Sequence, residues 1–100
     1  MPLTSQQIRY LRGLTHPLQP VVMVADKGLN ENVMIEIESA LQHHELVKIK
    51  LRADRETRTA WIARISEQCS AEKVHVIGHV ACFFRRNKKK PVIALPRKTS

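Results

Sequence analysis

The chain has 100 residues, of which 43% are hydrophobic, and its 17 basic and nine acidic residues give a formal net charge of +8. This length and apolar content suffice for one domain with a modest core and exclude global disorder. No apolar run approaches the roughly 20 residues of a membrane-spanning helix, and the amino-terminal residues lack the pattern of a signal peptide. We therefore expect a cytoplasmic protein with no membrane partner.

Positive charge is concentrated near the carboxyl end. Without the seven basic residues between positions 85 and 98, the chain would carry ten basic and nine acidic residues. A segment of this kind indicates a polyanion-binding edge or arm, although solvated tails are often basic without any partner. The seven residues are Arg85, Arg86, Lys88, Lys89, Lys90, Arg97 and Lys98.

The first predicted helix runs from Thr4 to about Leu14. Thr4 and Gln7 have the spacing of a capping box, in which each side chain bonds to the backbone of the other residue. Arg9 and Arg12 lie three residues apart and share a polar face, so they are secondary candidates for contact with a polyanion. Residues 16–20 include two prolines, which predict an extended connector.

A short buried strand is predicted over Val21–Val24, where the residues are apolar and mostly β-branched. A polar turn at residues 25–28 follows, and Asn30 is a suitable N-cap for a second helix that ends near His43. A strand that enters a helix through a glycine turn leaves backbone N–H groups exposed at the helix start, where they can bind phosphate. The alternative to a phosphate site is that this loop is a plain strand-to-helix connection. The candidates in this loop are Lys27, Gly28 and Asn30, with Asp26 as a secondary candidate.

The clearest alternation in the chain is in residues 46–52, Leu-Val-Lys-Ile-Lys-Leu-Arg. Successive side chains of a strand point to opposite faces, so Val47, Ile49 and Leu51 predict a buried face. The other face is entirely cationic, which fits either an ordinary solvated surface or a polyanion-binding face. Its residues are Lys48, Lys50 and Arg52.

A third helix is predicted from the polar turn at residues 53–57 to about Cys69. Two strands follow, over Lys73–Ile77 and Val80–Phe84, and a two-residue turn at Gly78 and His79 joins them as a hairpin. The residues of the third helix expected to face the core are Ala60, Trp61, Ile65 and either Cys69 or Gln68.

The remaining residues lie beyond the last predicted strand. The lysine run 88–90 is expected to be mobile, because it follows a strand end. Residues 91–96 fit a short edge strand, and 97–100 fit a frayed end. We therefore expect one domain over residues 1–96, followed by this end.

The predicted element order is α-β-α-β-α-β-β, which indicates a single compact α/β domain with helices packed on a four-stranded mixed sheet. Right-handed crossovers would place the second and third helices on the same face of the sheet. The other face would then be free, at least in part, to present Lys48 and Lys50.

The sequence gives little support for a catalytic or metal site. The histidines and acid available to a small hydrolase are His16, His43, His44 and Glu45, but they show neither a nucleophile–base pattern nor metal-ligand spacing. Cys69 and Cys82 are isolated, so we expect two buried, reduced thiols. The prediction is a protein that is not an enzyme and that has no cofactor and no metal.

Five stretches of the chain, taken in order, resemble the CRM domain family (chloroplast RNA splicing and ribosome maturation), and in particular its small bacterial single-domain members. The match covers nearly the whole chain and is far more specific than any single motif. The stretches are Leu11–Val22, Gly28–Glu31, His43–Lys50, Asp54–Thr57 and Val76–His79.

The resemblance implies a compact α/β fold similar to the C-terminal domain of translation initiation factor three, with RNA as the ligand. Bacterial members of the family associate with precursors of the large ribosomal subunit. The family carries a G-x-x-G loop between its first strand and the following helix. The aligned residues here are Ala25–Gly28, in which alanine replaces the first glycine. The aromatic-then-basic ending of the family's last strand corresponds to Phe84 and Arg85.

Together, the residues and the resemblance predict a monomeric protein that binds structured RNA of the pre-ribosomal large subunit, as an assembly factor. Because only 4% of the residues are aromatic, recognition is expected to depend on phosphate and shape. The alternative is an adaptor that contacts a ribosomal protein through an acidic helix surface and contacts RNA only incidentally. The predicted RNA-binding residues are Lys27, Gly28, Asn30, Lys48, Lys50, Arg52, Arg85, Arg86, Lys88, Lys89 and Lys90, with Arg9, Arg12 and Asp26 as secondary candidates.

Overall fold

The computed structural model describes residues 3–96. The elements are α1 (Ser5–Thr15), β1 (Val22–Val24), α2 (Glu31–His44), β2 (Leu46–Leu51), α3 (Arg55–Cys69), β3 (Glu72–Ile77) and β4 (Val80–Phe84). The strands form one mixed sheet in the order β1-β2-β4-β3, with β1 and β2 parallel and the other neighbours antiparallel. The predicted element order and the four-stranded mixed sheet are confirmed.

Each helix begins at a polar residue with extended backbone. The side-chain oxygens of Thr4, Asn30 and Asp54 accept a hydrogen bond from the backbone N–H three residues later, at 3.1, 2.9 and 2.8 Å. These bonds satisfy one of the N–H groups that a helix leaves unpaired at its start. The helix starts that the sequence predicts are therefore confirmed to within a residue.

Helices α2 and α3 cover one face of the sheet, as the crossover rule predicts. Their side chains pack with those of alternate strand residues in one buried cluster, and Trp61 and Ile62 of α3 are partly buried against it. One expected core residue is wrong: Ala60 is exposed, because the apolar stripe of α3 continues through Ile62 instead. The strand residues in this cluster are Val22, Val24, Val47, Ile49, Leu51, Ala81 and Phe83.

Helix α1 covers only one end of the other face, which we call the α1 face. Leu11 of α1 packs there in a second buried cluster. The side chains of Met23 and Ile77, toward the other end of this face, are 53% and 60% exposed. The 11-residue helix therefore leaves part of the sheet open. The strand residues that pack with Leu11 are Leu46, Val74, Cys82 and Phe84.

A bulge in β3 determines which side chains reach the α1 face. The β3–β4 register shifts between Lys73 and His75, which leaves Val74 as an extra residue. Val74 therefore packs in the cluster under α1, while His75 remains the partner of Cys82. Two consecutive residues of β3 thus face the same side of the sheet, which regular alternation does not allow.

The buried carboxylate of Glu45 fastens the segment that follows β4. Glu45 ends α2 with a φ of +61° and is 0% exposed. Its two oxygens accept hydrogen bonds from the backbone N–H groups of Asn87, Val92 and Ile93, at 2.6, 2.7 and 2.7 Å. The guanidinium of Arg86 lies 3.2 Å from the same carboxylate. We call residues 87–96 the C-terminal strap.

The strap corrects two expectations about the carboxyl end. The lysine run was expected to be mobile, but it lies between residues whose backbone is bonded to Glu45, and the side-chain oxygen of Asn87 accepts the N–H groups of Lys89 and Lys90 at 3.1 Å. The edge strand expected over 91–96 is wrong, because these residues have no strand pairing. Ile93 and Leu95 pack instead against the cluster under α1. The expected frayed end, 97–100, lies outside the described residues.

We predict that Glu45→Ala lowers the free energy of unfolding by about 3 kcal/mol, because it removes the acceptor for a buried set of donors. The matched control is Glu38→Ala, which removes an exposed partner of Arg85 and should cost less than about 1 kcal/mol. Urea denaturation of both variants measures the difference. Equal losses would contradict the role given to Glu45.

The contribution of Glu45 should also depend on pH. Burial opposes its ionisation, but the N–H groups of Asn87, Ile93 and Val92 and the charge of Arg86 outweigh burial, so the pKa of Glu45 lies below its ordinary value. A lowered pKa in the folded state stabilises the protein above the ordinary carboxyl pKa, and this stability is lost as the pH falls through the lowered value. The difference between parent and Glu45→Ala should therefore be constant near neutrality and shrink in acid.

Candidate nucleic-acid interface

The loop between β1 and α2 is a tight turn closed by its own backbone. The N–H of Gly28 donates to the carbonyl of Ala25 at 2.8 Å, and Gly28 has a φ of +65°. A Cβ at this position would lie 3.7 Å from Cζ2 of Trp61, an ordinary contact. Glycine is therefore favoured here by backbone conformation and not by lack of space. Lys27 is exposed beside it.

The start of α2 has exposed N–H groups that favour an anion and an acidic side chain that opposes one. The first N–H groups of any helix lack intrahelical acceptors, and the oxygen of Asn30 is bonded to the N–H of Val33. Asn30 is therefore first a helix cap, and its predicted contact with RNA would use the remaining amide group. Glu31 places an exposed acid in the first turn. An anion here depends on Lys27 to offset that charge.

Three segments meet where β1 and β2 end. The N–H of Arg52 donates to the carbonyl of Val24 at 2.8 Å, and the N–H of Leu51 donates to the carbonyl of His79 at 2.6 Å. These bonds bring the β1–α2 loop and the β3–β4 turn to the end of β2. Between them lies an open concavity of about 610 Å³, lined by Ala25, Asp26, Lys50, Arg52, Ala53 and His79.

A smaller concavity of about 190 Å³ adjoins the first on the α1 face. The two are neighbours because Lys50, in the first, and Val80, in the second, are partners across β2 and β4. The residues of the second are Thr15, His16, Lys48, His75, Ile77, Val80 and Cys82. We call the two concavities together the basic groove.

The positive charge of the groove affects the pKa of His75. Burial lowers the pKa of His75, and the positive charges of Arg12, His16 and Lys48 lower it further. Arg12 is thus close enough to act on the groove, as its place one turn before the end of α1 allows. Arg9 is exposed on α1 but lines neither concavity.

The two arginines after β4 are engaged within the protein. Arg85 pairs with Glu38 and donates to the carbonyl of Cys69 at 3.1 Å, which links α2 to α3. Arg86 contacts Glu45, donates to the carbonyl of Ile93 at 2.8 Å, and lies 5.5 Å from the ring centroid of Phe84. Their predicted contacts with RNA therefore compete with structural bonds.

The lysine run is exposed but does not join the basic groove. Phe84, at the end of β4, is opposite Leu46, the first residue of β2, whereas the groove begins at Lys48 and extends to Arg52, just beyond the end of β2. Leu46 and Arg52 are about 20 Å apart along the strand. The structure therefore divides the predicted basic residues between two surfaces, the groove and the strap.

The residues considered for catalysis are dispersed. His43 and His44 lie in the last turn of α2, where Nδ1 of His43 is 2.8 Å from the carbonyl oxygen of Ser39. Glu45 is buried under the strap, and His16 lines the groove. Within residues 3–96, no three His, Cys, Asp or Glu side chains are grouped as metal ligands would be. No helix in that same range has the length and apolarity to cross a membrane.

Several groove residues were missed by sequence reasoning. His16 was treated as a connector residue, His79 as a turn residue, and His75 as one residue of a strand. His75 reaches the groove through the bulge at Val74 and the placement of β4 between β2 and β3, for which the sequence carries no local signal. The residues predicted from charge and alternation, Lys48, Lys50 and Arg52, do lie in the groove.

Comparison with known proteins identifies the class of this α/β domain. The model of the CRS1/YhbY (CRM) domain matches residues 3–85. An RNA-binding protein of Haemophilus influenzae is 45% identical over 97 residues, which cover 96% of this chain and 97% of the relative. An inferred RNA-binding protein of Pseudomonas aeruginosa is 40% identical over 90 residues, with coverage of 89% and 86%.

A solved structure supports the same assignment. The solution structure of a Staphylococcus aureus protein that has been proposed to bind RNA matches with a TM-score of 0.81 and 32% identity, over 95% of this chain and 100% of that one. The chain belongs to the CRS1/YhbY (CRM) domain family, as the resemblance implied. The relatives are named for RNA binding and not for an enzymatic activity, in agreement with the prediction of a protein that is not an enzyme.

We predict that Gly28→Ala lowers the free energy of unfolding by about 1 to 2 kcal/mol, because an L-residue is strained at positive φ. The control is Gly13→Ala within α1, where a Cβ meets nothing within 4 Å and should stabilise the protein by about 0.5 to 1 kcal/mol. Thermal or urea unfolding measures whether each substitution raises or lowers the free energy of unfolding. Stabilisation by both substitutions would mean that the loop does not require glycine.

Proposed function

We propose that this protein binds RNA, with the basic groove as its principal contact surface. The observation that carries the proposal is the convergence of Lys48, Lys50 and Arg52 with the imidazole rings of His16, His75 and His79 on the uncovered end of the α1 face. Backbone phosphates are the natural ligands of such a surface. The RNA-binding names of the relatives support the same ligand.

The groove and the loop would contact phosphate in different ways. Lys50 and Arg52 project from the end of β2, so their approximate positions are fixed before RNA arrives. Lys27 stands on the adjacent turn beside the Gly28 backbone. The secondary candidate Asp26 lines the same concavity, where its charge would disfavour phosphate and favour a hydroxyl or an amino group of the RNA.

Recognition would rest on phosphate and shape more than on aromatic stacking. Phe83 and Phe84 are buried, Trp61 packs against the core, and these residues are therefore not platforms for bases. Tyr10 is 43% exposed, but it lies on α1 and lines neither concavity. The surface fits structured RNA, whose backbone geometry is read by cations in fixed positions.

The exposed lysine run of the strap would act as a second phosphate surface. Lys88, Lys89 and Lys90 are presented on a segment bonded to Glu45, so less conformational entropy would be lost on binding than for a free tail. This surface follows the end of β4 that is opposite Leu46, whereas the groove extends from Lys48 to Arg52. An RNA that contacts both the lysine run and Arg52 would have to extend about 20 Å along the sheet, which favours a folded or double-stranded ligand over a short single strand.

We further propose that the RNA is a precursor of the large ribosomal subunit, and that the protein acts in the cytoplasm as a monomeric assembly factor. This part of the proposal comes from the family resemblance and from the preference for structured RNA argued above. The proposed RNA-binding domain covers residues 1–96.

An adaptor role is the second candidate, and a specific surface favours it. At the outer edge of β1, Val21 and Ile35 are 49% and 59% exposed, and they line a shallow concavity with Glu36 and His43. An apolar patch beside an acid is suited to a protein surface. It lies at the outer edge of β1, where the N–H of Val21 donates to the carbonyl of Lys48 at 2.9 Å, so a ribosomal protein bound there would lie beside the groove.

We predict that the double substitution Lys50→Ala and Arg52→Ala weakens RNA binding and flattens its salt dependence. Each lost phosphate contact should reduce the slope of log K against log salt by roughly 0.7 to 0.9. The control is Arg55→Ala with Arg64→Ala, which removes two exposed charges from α3 on the opposite side of the sheet. Salt titrations that give both variants the same loss would show that net charge, and not the groove, governs binding.

We also predict that ultraviolet crosslinking in cells recovers large-subunit ribosomal RNA and its precursors with the parent protein. The groove variant should recover much less, whereas a Val21→Ser and Ile35→Ser variant should be unaffected if RNA is contacted directly. The reverse result, in which the apolar edge is required and the groove is not, would favour the adaptor.

A further inference from the structure

The smaller concavity of the basic groove differs from the rest of that surface because it has an apolar floor. Ile77, Val80 and Cys82 form the floor, and the imidazoles of His16 and His75 stand at the side with Lys48. Its volume of about 190 Å³ is some six times the ~30 Å³ that one water molecule occupies in the liquid. The space is therefore much larger than a bound ion needs and is sufficient for one heterocyclic ring.

Within residues 3–96, the cations around this pocket are not joined to acids in ion pairs. Among residues 3–96, the ion pairs are those of Arg85 with Glu38 and Arg86 with Glu45, and both lie away from it. Glu72, on the same strand as His75, accepts a hydrogen bond from the N–H of Leu3. Arg12, His16 and Lys48 thus remain available to an anion at the mouth of the pocket.

We propose that this pocket receives one unstacked nucleotide of the bound RNA. The base would lie on Ile77, Val80 and Cys82, and a phosphate of the same nucleotide would lie against Lys48 and His16. The inference rests on the proposed RNA-binding function and adds to it a subsite for an unpaired nucleotide.

The combination of surfaces selects this ligand. An inorganic anion would bind the cations but leave the apolar floor exposed to water. An apolar ligand would cover the floor but leave the cations without an anion. A nucleotide satisfies both, since its base has an apolar face and its phosphate carries the charge. The adjoining concavity, with Lys50 and Arg52, continues the cationic surface for the flanking phosphates. Unpaired bases in loops and bulges are also the parts of RNA most accessible to side chains.

His75 would couple this subsite to pH. In the free protein, burial and the charges of Arg12, His16 and Lys48 disfavour its protonation, while Cys82 across the strand pair is a buried thiol whose pKa is raised by burial. A bound phosphate would oppose those charges and raise the pKa of His75. The complex then takes up a proton, so affinity should rise as the pH falls through the pKa of the bound state.

The test uses two RNA hairpins of equal length, one fully paired and one with a single bulged uridine. The parent should bind the bulged hairpin about tenfold more tightly, which corresponds to about 1.4 kcal/mol and lies within the range of contacts to a single base. Val80→Phe fills the pocket and should reduce this ratio toward one. Lys48→Met should have the same effect, and it serves as a second test in case Val80→Phe does not fold. Ala63→Phe, which adds the same side chain at an exposed position of α3, should keep the tenfold ratio.

Two further measurements locate the nucleotide. With 4-thiouridine at the bulge, crosslinks should map to β3 near His75 and Ile77 or to His16. Lowering the pH from 7.5 to 5.5 should increase the ratio for the parent and for His16→Gln more than for His75→Gln.

The outcomes separate the two proposals. If the parent binds both hairpins equally, or if Val80→Phe and Lys48→Met both keep the tenfold ratio, the nucleotide pocket is refuted while the RNA-binding function stands. If neither hairpin binds at near-physiological salt, the proposed function itself fails. Crosslinks that map only to the strap would also overturn the pocket.

Discussion

The buried carboxylate of Glu45 is the interaction on which the arrangement of both basic surfaces depends. It accepts three backbone N–H groups of the C-terminal strap, and Arg86 pairs with it. The strap then packs Ile93 and Leu95 on the cluster under α1, which completes the cover of one end of the α1 face. Neither α1 nor the strap covers the opposite end of the α1 face, which therefore stays open. Glu45 thus holds the strap over the half of this face that α1 also covers, and the other half can meet a ligand.

The open half combines apolar and cationic side chains on one surface. Apolar side chains of β3 and β4 alternate with cations of β2, and the ends of three loops or turns surround them. The first concavity offers charge and a wide mouth, which suits a phosphate backbone. The second is smaller and has an apolar floor, which suits one base. If both act together, the first would supply affinity and the second would supply preference among RNAs.

Local sequence patterns are sufficient to predict the architecture and the cationic strand. Capping residues such as Thr4, Asn30 and Asp54 act within one turn of chain, and the alternation in residues 46–52 follows from the geometry of a single strand, so both can be read locally. The family resemblance is also a property of the sequence alone. Local physics likewise anticipated that Lys48 and Lys50 would lie on the face opposite α2 and α3.

Contacts between distant segments determine which basic residues share a surface. Arg85 and Arg86 look equivalent to their lysine neighbours in the sequence, yet they pair with Glu38 of α2 and with Glu45 at its end, both more than 40 residues away. His75 enters the groove because a bulge and the strand order β2-β4-β3 bring it toward Lys48 and α1. These outcomes depend on contacts between segments distant in the chain. Local propensity and charge patterns carry no information about such contacts, because the energy that fixes them exists only once the sheet has formed.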